Sequence, residues 1–339
     1  MKNGRKWIIP AFILLLAIVV VGILWIGKIG PFAPETPAAP EGEAFAVGVL
    51  QFVEHPALDA STEFFLKALA DNGLVDGENL KVTVLNPSAD SGAMQLMSDQ
   101  LATGGNNLLL GVATPAVQAL AAKTDEIPIL GVAVTDYVGA GLIVSNEAPG
   151  INISGTTDMN PIDRQIDLLL QLVPDAKTVG ICYASNEVNS QIQADIAKAE
   201  LEKRGVAVEI KMASAIGDVQ QTIESLMGKV DAMYIPTDNL MASAAAVLTD
   251  ITVANKVPVI VGEGNQVQGG GLATVGLNYE KMGYQTGMMA LRILKDGANP
   301  AEMPIEASAE VDFYVNTTTA ELLGITIPQE ILDAAVIFE

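Results

Sequence analysis

The sequence predicts an α/β protein of two lobes, each a mostly parallel sheet flanked by helices, the pair preceded by one transmembrane helix. Three observations carry this. From residue 45 onward, short apolar runs alternate with longer amphipathic ones, the pattern of repeated strand–helix–strand units whose crossovers cover both faces of a parallel sheet. The alternation breaks once, at GINISGTTDMNP (150–161), where Gly, Asn, Thr and Pro concentrate and leave two blocks of four or five strands each. An uncharged apolar run stands near the amino terminus, ahead of both blocks.

That run occupies residues 7–27, 21 residues, and follows Lys2, Arg5 and Lys6. As a helix rising about 1.5 Å per residue it spans roughly the 30 Å hydrocarbon core of a bilayer. Trp7 and Trp25, the two tryptophans, flank it like an interfacial belt. A cleaved signal has a shorter apolar core with a small-residue site close behind. No clear site follows closely, and no Cys stands there for lipid attachment, so residues 1–30 read as an uncleaved signal-anchor, with cleavage and secretion the alternative. Basic residues before the run and acids after it place the rest outside the cytoplasm. Residues 31–44, PFAPETPAAPEGEA, carry four prolines and form a semi-extended linker.

In the first block, apolar runs at 46–52, 80–85, 107–113 and 127–135 read as strands, with helical patterns at 59–72, 94–103 and 115–123 between them. The second block offers strands at 178–183, 206–212, 231–235, 257–261 and 272–277, with helices at 164–172, 190–204, 219–227 and 240–255. Gly73, Gly205 and Gly228 stand where helix C-caps are expected. A long helix at 279–295 and a terminal apolar helix near 328–338 follow. The tail is expected to cross back, the long helix joining the first lobe and the end joining the second. The lobes are then 45–156 plus about 277–304, and 157–276 plus about 305–339, with a hinge and a cleft between them.

Charge and composition remove several classes of function. With 18 basic and 40 acidic residues the net charge is -22, and no basic patch is present to hold nucleic acid. Setting aside the amino-terminal Lys2, Arg5, Lys6 and Lys28 leaves 14 against 40, or -26, whose self-repulsion favours a monomer. One Cys and one His supply neither an internal disulfide nor a transition-metal cluster, so no metal or cofactor is expected. Cys182, in the apolar run TVGICYA, reads as a buried inert thiol. No nucleophile elbow, Walker loop or dinucleotide fingerprint occurs, which argues against an enzyme.

The polar residues collect at strand ends, where an open α/β sheet places its chemistry. In the first block these are Phe52 and Glu54 of QFVEHPALDA, Thr114 of GVATPAVQA, and Thr135 and Asp136 of GVAVTDYVGAG. The second contributes Tyr183, Ser185, Asn189 and Ser190 of CYASNEVNS, Thr237, Asp238 and Asn239 of YIPTDNL, and Glu263 of IVGEGN. Each alone is an ordinary cap before a helix. Together they put hydroxyls, free N–H groups and acids at one cleft, a setting for a small solute with a carboxylate and an ammonium group.

The stretches VLQFVEHPALDA, GVATPAVQA, VTDYVGAGL, NISGTTDMNPIDRQIDLL, KVDAMYIPTDN and PVIVGEGNQVQGGGLATVGLNYEKMG resemble those of ABC-transporter substrate-binding proteins of the tryptophan/tyrosine-binding type. The resemblance runs from about residue 46 to 297. It implies a type I periplasmic-binding fold that closes on a solute, an aromatic amino acid in some members, and delivers it to a permease and its ATPase. Many relatives carry a lipidated Cys, which this chain lacks. For an amino acid, the carboxylate is assigned to Thr114 with Ser185 or Ser190 across the cleft. The ammonium falls to Asp136 or Asp238 with Asn239, and the ring lies between Phe52 and Tyr183, with Glu54 and Glu263 behind or on polar ligand atoms. A membrane-tethered sensor and a binding protein for a non-amino-acid solute are the alternatives.

Overall fold

The computed structural model describes residues 44–307 and 310–339. The anchor and nearly all of the linker read from the sequence lie outside these residues. Among the described residues no helix is long and apolar enough to cross a membrane.

Thirteen strands follow the chain in order. The first lobe holds β1 (Phe45–Gln51), β2 (Leu80–Leu85), β3 (Leu108–Val112), β4 (Ile129–Val134) and β5 (Ile153–Thr157). Then come β6 (Thr178–Ala184), β7 (Ala207–Ala213), β8 (Ala232–Ile235), β9 (Val259–Val261) and β10 (Ala273–Gly276). The tail adds β11 (Glu306–Ala307), β12 (Asp312–Asn316) and β13 (Ala335–Phe338). They form two sheets, ordered β11-β5-β4-β3-β1-β2 and β13-β12-β10-β9-β8-β6-β7. Pairing is parallel throughout except between β10 and β12. Every residue of β3 and β4 is buried, as a parallel strand covered by helices on both faces requires, whereas edge strand β2 exposes Lys81 and Val84.

Both sheets reverse direction next to their founding strand. In the first, β1 has β2 on one side and β3 on the other; in the second, β6 lies between β7 and β8. Helices leaving neighbouring strands at such a point run to opposite faces, which opens a crevice beyond the carboxyl ends of the strands. The chain crosses between the sheets after β5, β10 and β11. Helix Tyr279–Asp296 returns to the first lobe and packs on helix Pro56–Asp71, its backbone drawn close by two glycines. A Cβ on Gly283 would sit 2.3 Å from the Ser61 carbonyl oxygen, and one on Gly287 2.5 Å from the Ala68 Cβ.

Three elements differ from the sequence expectation. β5 lies inside what reads as a junction, and its composition, ISGTT, gives no apolar signal. Tertiary contacts make it a strand: Ser154 Oγ donates to the Met303 carbonyl at 2.9 Å, and Thr156 and Thr286 share a hydrogen bond of 2.8 Å. The helix expected at 240–255 breaks at Ala244 into Asn239–Ser243 and Ala245–Ala254. The expected terminal helix is instead the short helix Gln329–Leu332 followed by β13, paired parallel to β12, because a four-residue apolar run suits strand and helix equally until a partner strand is present.

Candidate functional site

The loops leaving β1, β4, β5, β6, β8 and β9 converge on one narrow cavity at the facing crevices. His55, Thr135 and Asp158 reach it from the first lobe and its hinge; Asn189, Thr237 and Asn239 reach it from the second, with Glu263. Ala133 lines it with φ +57, a left-handed conformation that costs a non-glycine residue about 1–3 kcal/mol and falls inside β4 where its pairing with β5 shifts register. The free space inside it is about 10 Å³, room for a group the size of one water.

His55 leaves β1 in extended conformation and is followed by Pro56 at the first helical position, which fixes where helix Pro56–Asp71 begins. Its ring crosses the cleft: Nε2 lies 3.2 Å from Asn239 Oδ1 of the other lobe. Asn239 uses its Nδ2 to donate to Glu187, so its Oδ1 must accept from His55 Nε2–H. That leaves the imidazole neutral with Nδ1 as a bare acceptor. Burial pushes the ring down from 6.5 to about 4, only partly offset by the bond to Asn239.

Four carboxyls stand in or directly behind the cavity, and burial raises every one. Asp158 Oδ2 accepts from the Tyr279 hydroxyl at 2.7 Å, and Glu263 Oε2 caps helix Gly264–Gln268 through Asn265 N–H at 2.8 Å. Burial lifts Glu263 to about 7 and shifts Asp158 upward in the same direction. Asp238 accepts from Met241 N–H at 2.8 Å and from Ala184 N–H at 2.6 Å. Glu187 takes Asn239 and Leu240 N–H at 3.3 and 3.1 Å, and burial, then the charge of Asp238, raises it to about 8. Asp238 and Glu187 are thus spent on the helix Asn239–Ser243 and the β6 end.

The unpaired atoms define what the cavity wants. Among the described residues, five buried side-chain polar atoms lack a partner: His55 Nδ1, Asp158 Oδ1, Asn189 Oδ1, Glu263 Oε1 and Thr114 Oγ1. The first four belong to residues lining this cavity, and all four are acceptors. A buried polar atom left unpaired costs about 1–3 kcal/mol, so the cavity suits a small group, a water molecule included, that brings N–H or O–H donors. No Lys or Arg among the described residues lines it.

Of the site residues read from the sequence, Thr135, Asn189, Thr237, Asp238, Asn239 and Glu263 are brought together here. Ser190 is buried beside them, accepting from Asn189 Nδ2 at 3.2 Å. Phe52 is in the first-lobe core and edges a second, wider cavity of about 380 Å³, walled also by Val53, Ala89, Ile216 and Leu240 and sharing Asn239 and Glu187 with the inner site's surroundings. The others are placed elsewhere. Glu54 and Ser185 are exposed, and Tyr183 packs into the second-lobe core, so the expected ring sandwich with Phe52 does not form. Asp136 closes a turn by accepting from Gly139 N–H at 2.9 Å, while Thr114 is buried at the start of helix Thr114–Ala121. His55, Asp158 and Tyr279 were missed as site residues. His55 carried a signal as the single imidazole in the chain; Asp158 and Tyr279 sit at hinge crossings, where proximity arises only from the return of the tail.

A two-lobed α/β fold with a polar cavity between facing switch points is the architecture found among solute-binding proteins. The chain belongs to the family of ABC transporter substrate-binding proteins, which it matches over residues 46–337. It is 38% identical over 277 residues to a tyrosine-binding protein of Clostridioides difficile (strain R20291), covering 82% of this chain and 80% of that one. Among solved structures it resembles an ABC domain in complex with L-Trp from Streptococcus pneumonia, at 35% identity and TM-score 0.84 over 88% of this chain and all of that one. A ligand-free, open substrate-binding protein with adhesive properties from Clostridium difficile is 40% identical, yet its TM-score is only 0.66, over 87% of this chain and all of that one. The more identical relative superposes less well, so the lobes here stand nearer the L-Trp-bound arrangement than the open one. These relatives are binding proteins rather than enzymes.

Proposed function

We propose that the protein is the extracytoplasmic solute-binding component of an ABC importer, closing on an aromatic amino acid and delivering it to a membrane permease driven by an ATPase. The observation that carries the amine half is the set of four unpaired acceptors around a space of about 10 Å³, the size of one ammonium group. An ammonium brings three donors and the positive charge that Asp158 and Glu263 lack. The aromatic half is supported by the relatives, one named for tyrosine and one holding L-Trp. Its side chain is assigned to the adjoining cavity of about 380 Å³, against Phe52, Ile216 and Leu240. Asn239, which borders both spaces and bonds His55 across the cleft, registers the ligand and the closure together.

Thermal unfolding of the full chain, stripped of copurified ligand, against a panel of amino acids, nucleobases and short peptides tests this. A ligand present at about 100 times its Kd adds roughly 2.7 kcal/mol and raises Tm visibly. Stabilisation by tryptophan, tyrosine or phenylalanine is expected; stabilisation by nucleobases or peptides alone would replace the proposed ligand.

A further inference from the structure

We infer that the cleft also takes dipeptides whose first residue is aromatic, the second residue lying in a separate mouth of the cleft. The inference rests on the aromatic-ligand reading for the ring and the ammonium and goes beyond it for the group that follows them.

The inner cavity has two ways out. One is the cavity of about 380 Å³ to which the ring is assigned; the other is a cavity of about 240 Å³. Helix Asn239–Ser243 stands between them, with Leu240 and Ser243 lining the first and Ala242 the second. The second mouth shares His55, Ala242, Glu263 and Gln266 with the inner cavity, and the exposed Pro56, Gln268 and Gly269 mark its opening to solvent. A free aromatic amino acid fills the inner site and one way out. The other is left empty.

The polar atoms at this junction match a peptide group. An ammonium has three donors and cannot satisfy all four of the unpaired acceptors, His55 Nδ1, Asp158 Oδ1, Asn189 Oδ1 and Glu263 Oε1. Glu263 is placed to take a further N–H, because it also lines the second mouth, as Asp158 and Asn189 do not. Three residues on, Gln266 supplies a donor. Its Oε1 accepts from Gly262 N–H at 3.2 Å, which fixes the carboxamide so that Nε2 is the free end. Among the described residues Nε2 has no hydrogen-bond partner, although Gln266 is only 4% exposed and lines both spaces. A free acceptor and a free donor on one short helix end complement the N–H and C=O of a peptide unit. The start of helix Pro56–Asp71 adds Ala57 and Leu58, each 1% exposed and lining the inner cavity, where no side chain caps the N–H groups. Those N–H groups suit a peptide carbonyl oxygen and a carboxylate oxygen alike, so the first residue is held whether its carboxyl is free or in a peptide bond. Beyond the junction the wall carries the neutral carboxamides of Asn265 and Gln268. There the terminal carboxylate of a dipeptide reaches water, which spares it the cost of burial.

The test is isothermal titration of the full chain in detergent with L-tryptophan, tryptophyl-glycine and glycyl-tryptophan, and with the matching tyrosine series. The dipeptide with the aromatic residue first is expected to bind within about tenfold of its amino acid, and its reversed isomer at least about tenfold more weakly than that. Ala245→Leu and Gln268→Trp, which narrow the second mouth without touching the inner cavity, should each weaken the first dipeptide about tenfold or more. Both should leave the amino acid within about threefold of the parent, which also shows that the variants fold. If the amino acids bind and tryptophyl-glycine and tyrosyl-glycine are weaker by more than about a hundredfold, the inference is overturned while the amino-acid reading stands. Equal affinity for the two isomers, or dipeptide binding that neither variant weakens, also overturns it, since the second residue is then not in this mouth. If the dipeptides bind and the amino acids do not, the inference holds and the amino-acid reading fails. Binding of neither overturns both.

Discussion

Glu263 and His55 show how burial turns single side chains into pH-dependent parts. Glu263, lifted to about 7, must be ionised to meet an ammonium well, so binding releases a proton at and below that pH. Above it the carboxylate is already formed; below it, up to tenfold in affinity is lost per pH unit. Affinity for an amine or amino acid is therefore expected to fall several-fold between roughly pH 7.5 and 6, and titration of Glu263→Gln should lack that fall. For stability the signs differ between groups. His55 has a folded value near 4, below its unfolded 6.5, so its contribution is present above 6.5 and lost as pH falls toward 4. Glu187, raised from 4.5 to about 8, contributes fully below 4.5 and loses that contribution as pH rises through 8. Melting curves across this range should show Glu187→Gln with a flatter alkaline decline than the parent. The two aspartates assigned to the ammonium from sequence separate in the same way. Asp136→Ala should leave ligand affinity unchanged, since its carboxylate serves a turn. Asp238→Ala should lower stability by about 1–3 kcal/mol, because it uncaps a helix and strands the Ala184 N–H. A large loss of affinity in Asp136→Ala at unchanged Tm would restore the original assignment.

Among the elements, helix Tyr279–Asp296 does most to place the site, and it does so by close packing. Its buried face carries Met282, Met289, Ile293 and Leu294, but the approach to helix Pro56–Asp71 depends on Gly283 and Gly287, one turn apart. Gly283→Ala forces a methyl to 2.3 Å from a carbonyl oxygen, which backbone cannot relieve cheaply. The expected cost is about 1–3 kcal/mol, read as a lower Tm, together with weaker binding, since Tyr279 at the same helix's start holds Asp158. A variant with parental Tm would show that the two helices can slide apart freely. β5 gives the complementary case: ISGTT has no apolar run to mark it as a buried strand, yet Gly155, with φ +144, lies so close to β4 that a Cβ would be 2.1 Å from the Gly131 carbonyl oxygen. Local pattern gave the repeated units; close backbone approach gave this one.

For the whole molecule the question is what holds the lobes together. His55 bonds Asn239 across the cleft at 3.2 Å, and Gln193 Nε2 reaches Thr135 Oγ1 at 3.4 Å nearer the hinge while also donating to the Thr237 carbonyl. Asn160 pins two of the crossings, accepting from Leu277 N–H at 3.0 Å and donating to Thr237 Oγ1 at 3.1 Å. So few polar links make an equilibrium that a ligand can shift by a few kcal/mol. Asn239→Ala removes the His55 link and is expected to enlarge the radius of gyration in small-angle scattering without ligand, with saturating ligand restoring compactness in part. Scattering identical to the parent in both conditions would place the closing force elsewhere. The net charge of -22 adds a long-range preference for cationic over anionic solutes, which added salt should weaken.

The sequence by itself determined the architecture, because periodicity is local: apolar runs of strand length between amphipathic helices encode two parallel sheets wherever they occur. It also marked the strand ends as the polar places, and six of the thirteen residues read there do line the cavity. Only the tertiary structure decided which of those ends face each other and which acids are already occupied as caps. Asp238 and Asp136 look alike as letters before a turn, yet Asp238 spends both carboxylate oxygens on backbone N–H groups and Asp136 closes a turn, while Asp158, in a stretch that reads as a junction, leaves a buried oxygen unpaired. Burial, and the pairing or orphaning of each polar atom, are properties of neighbours distant in sequence; Asp158 and Tyr279 are 121 residues apart.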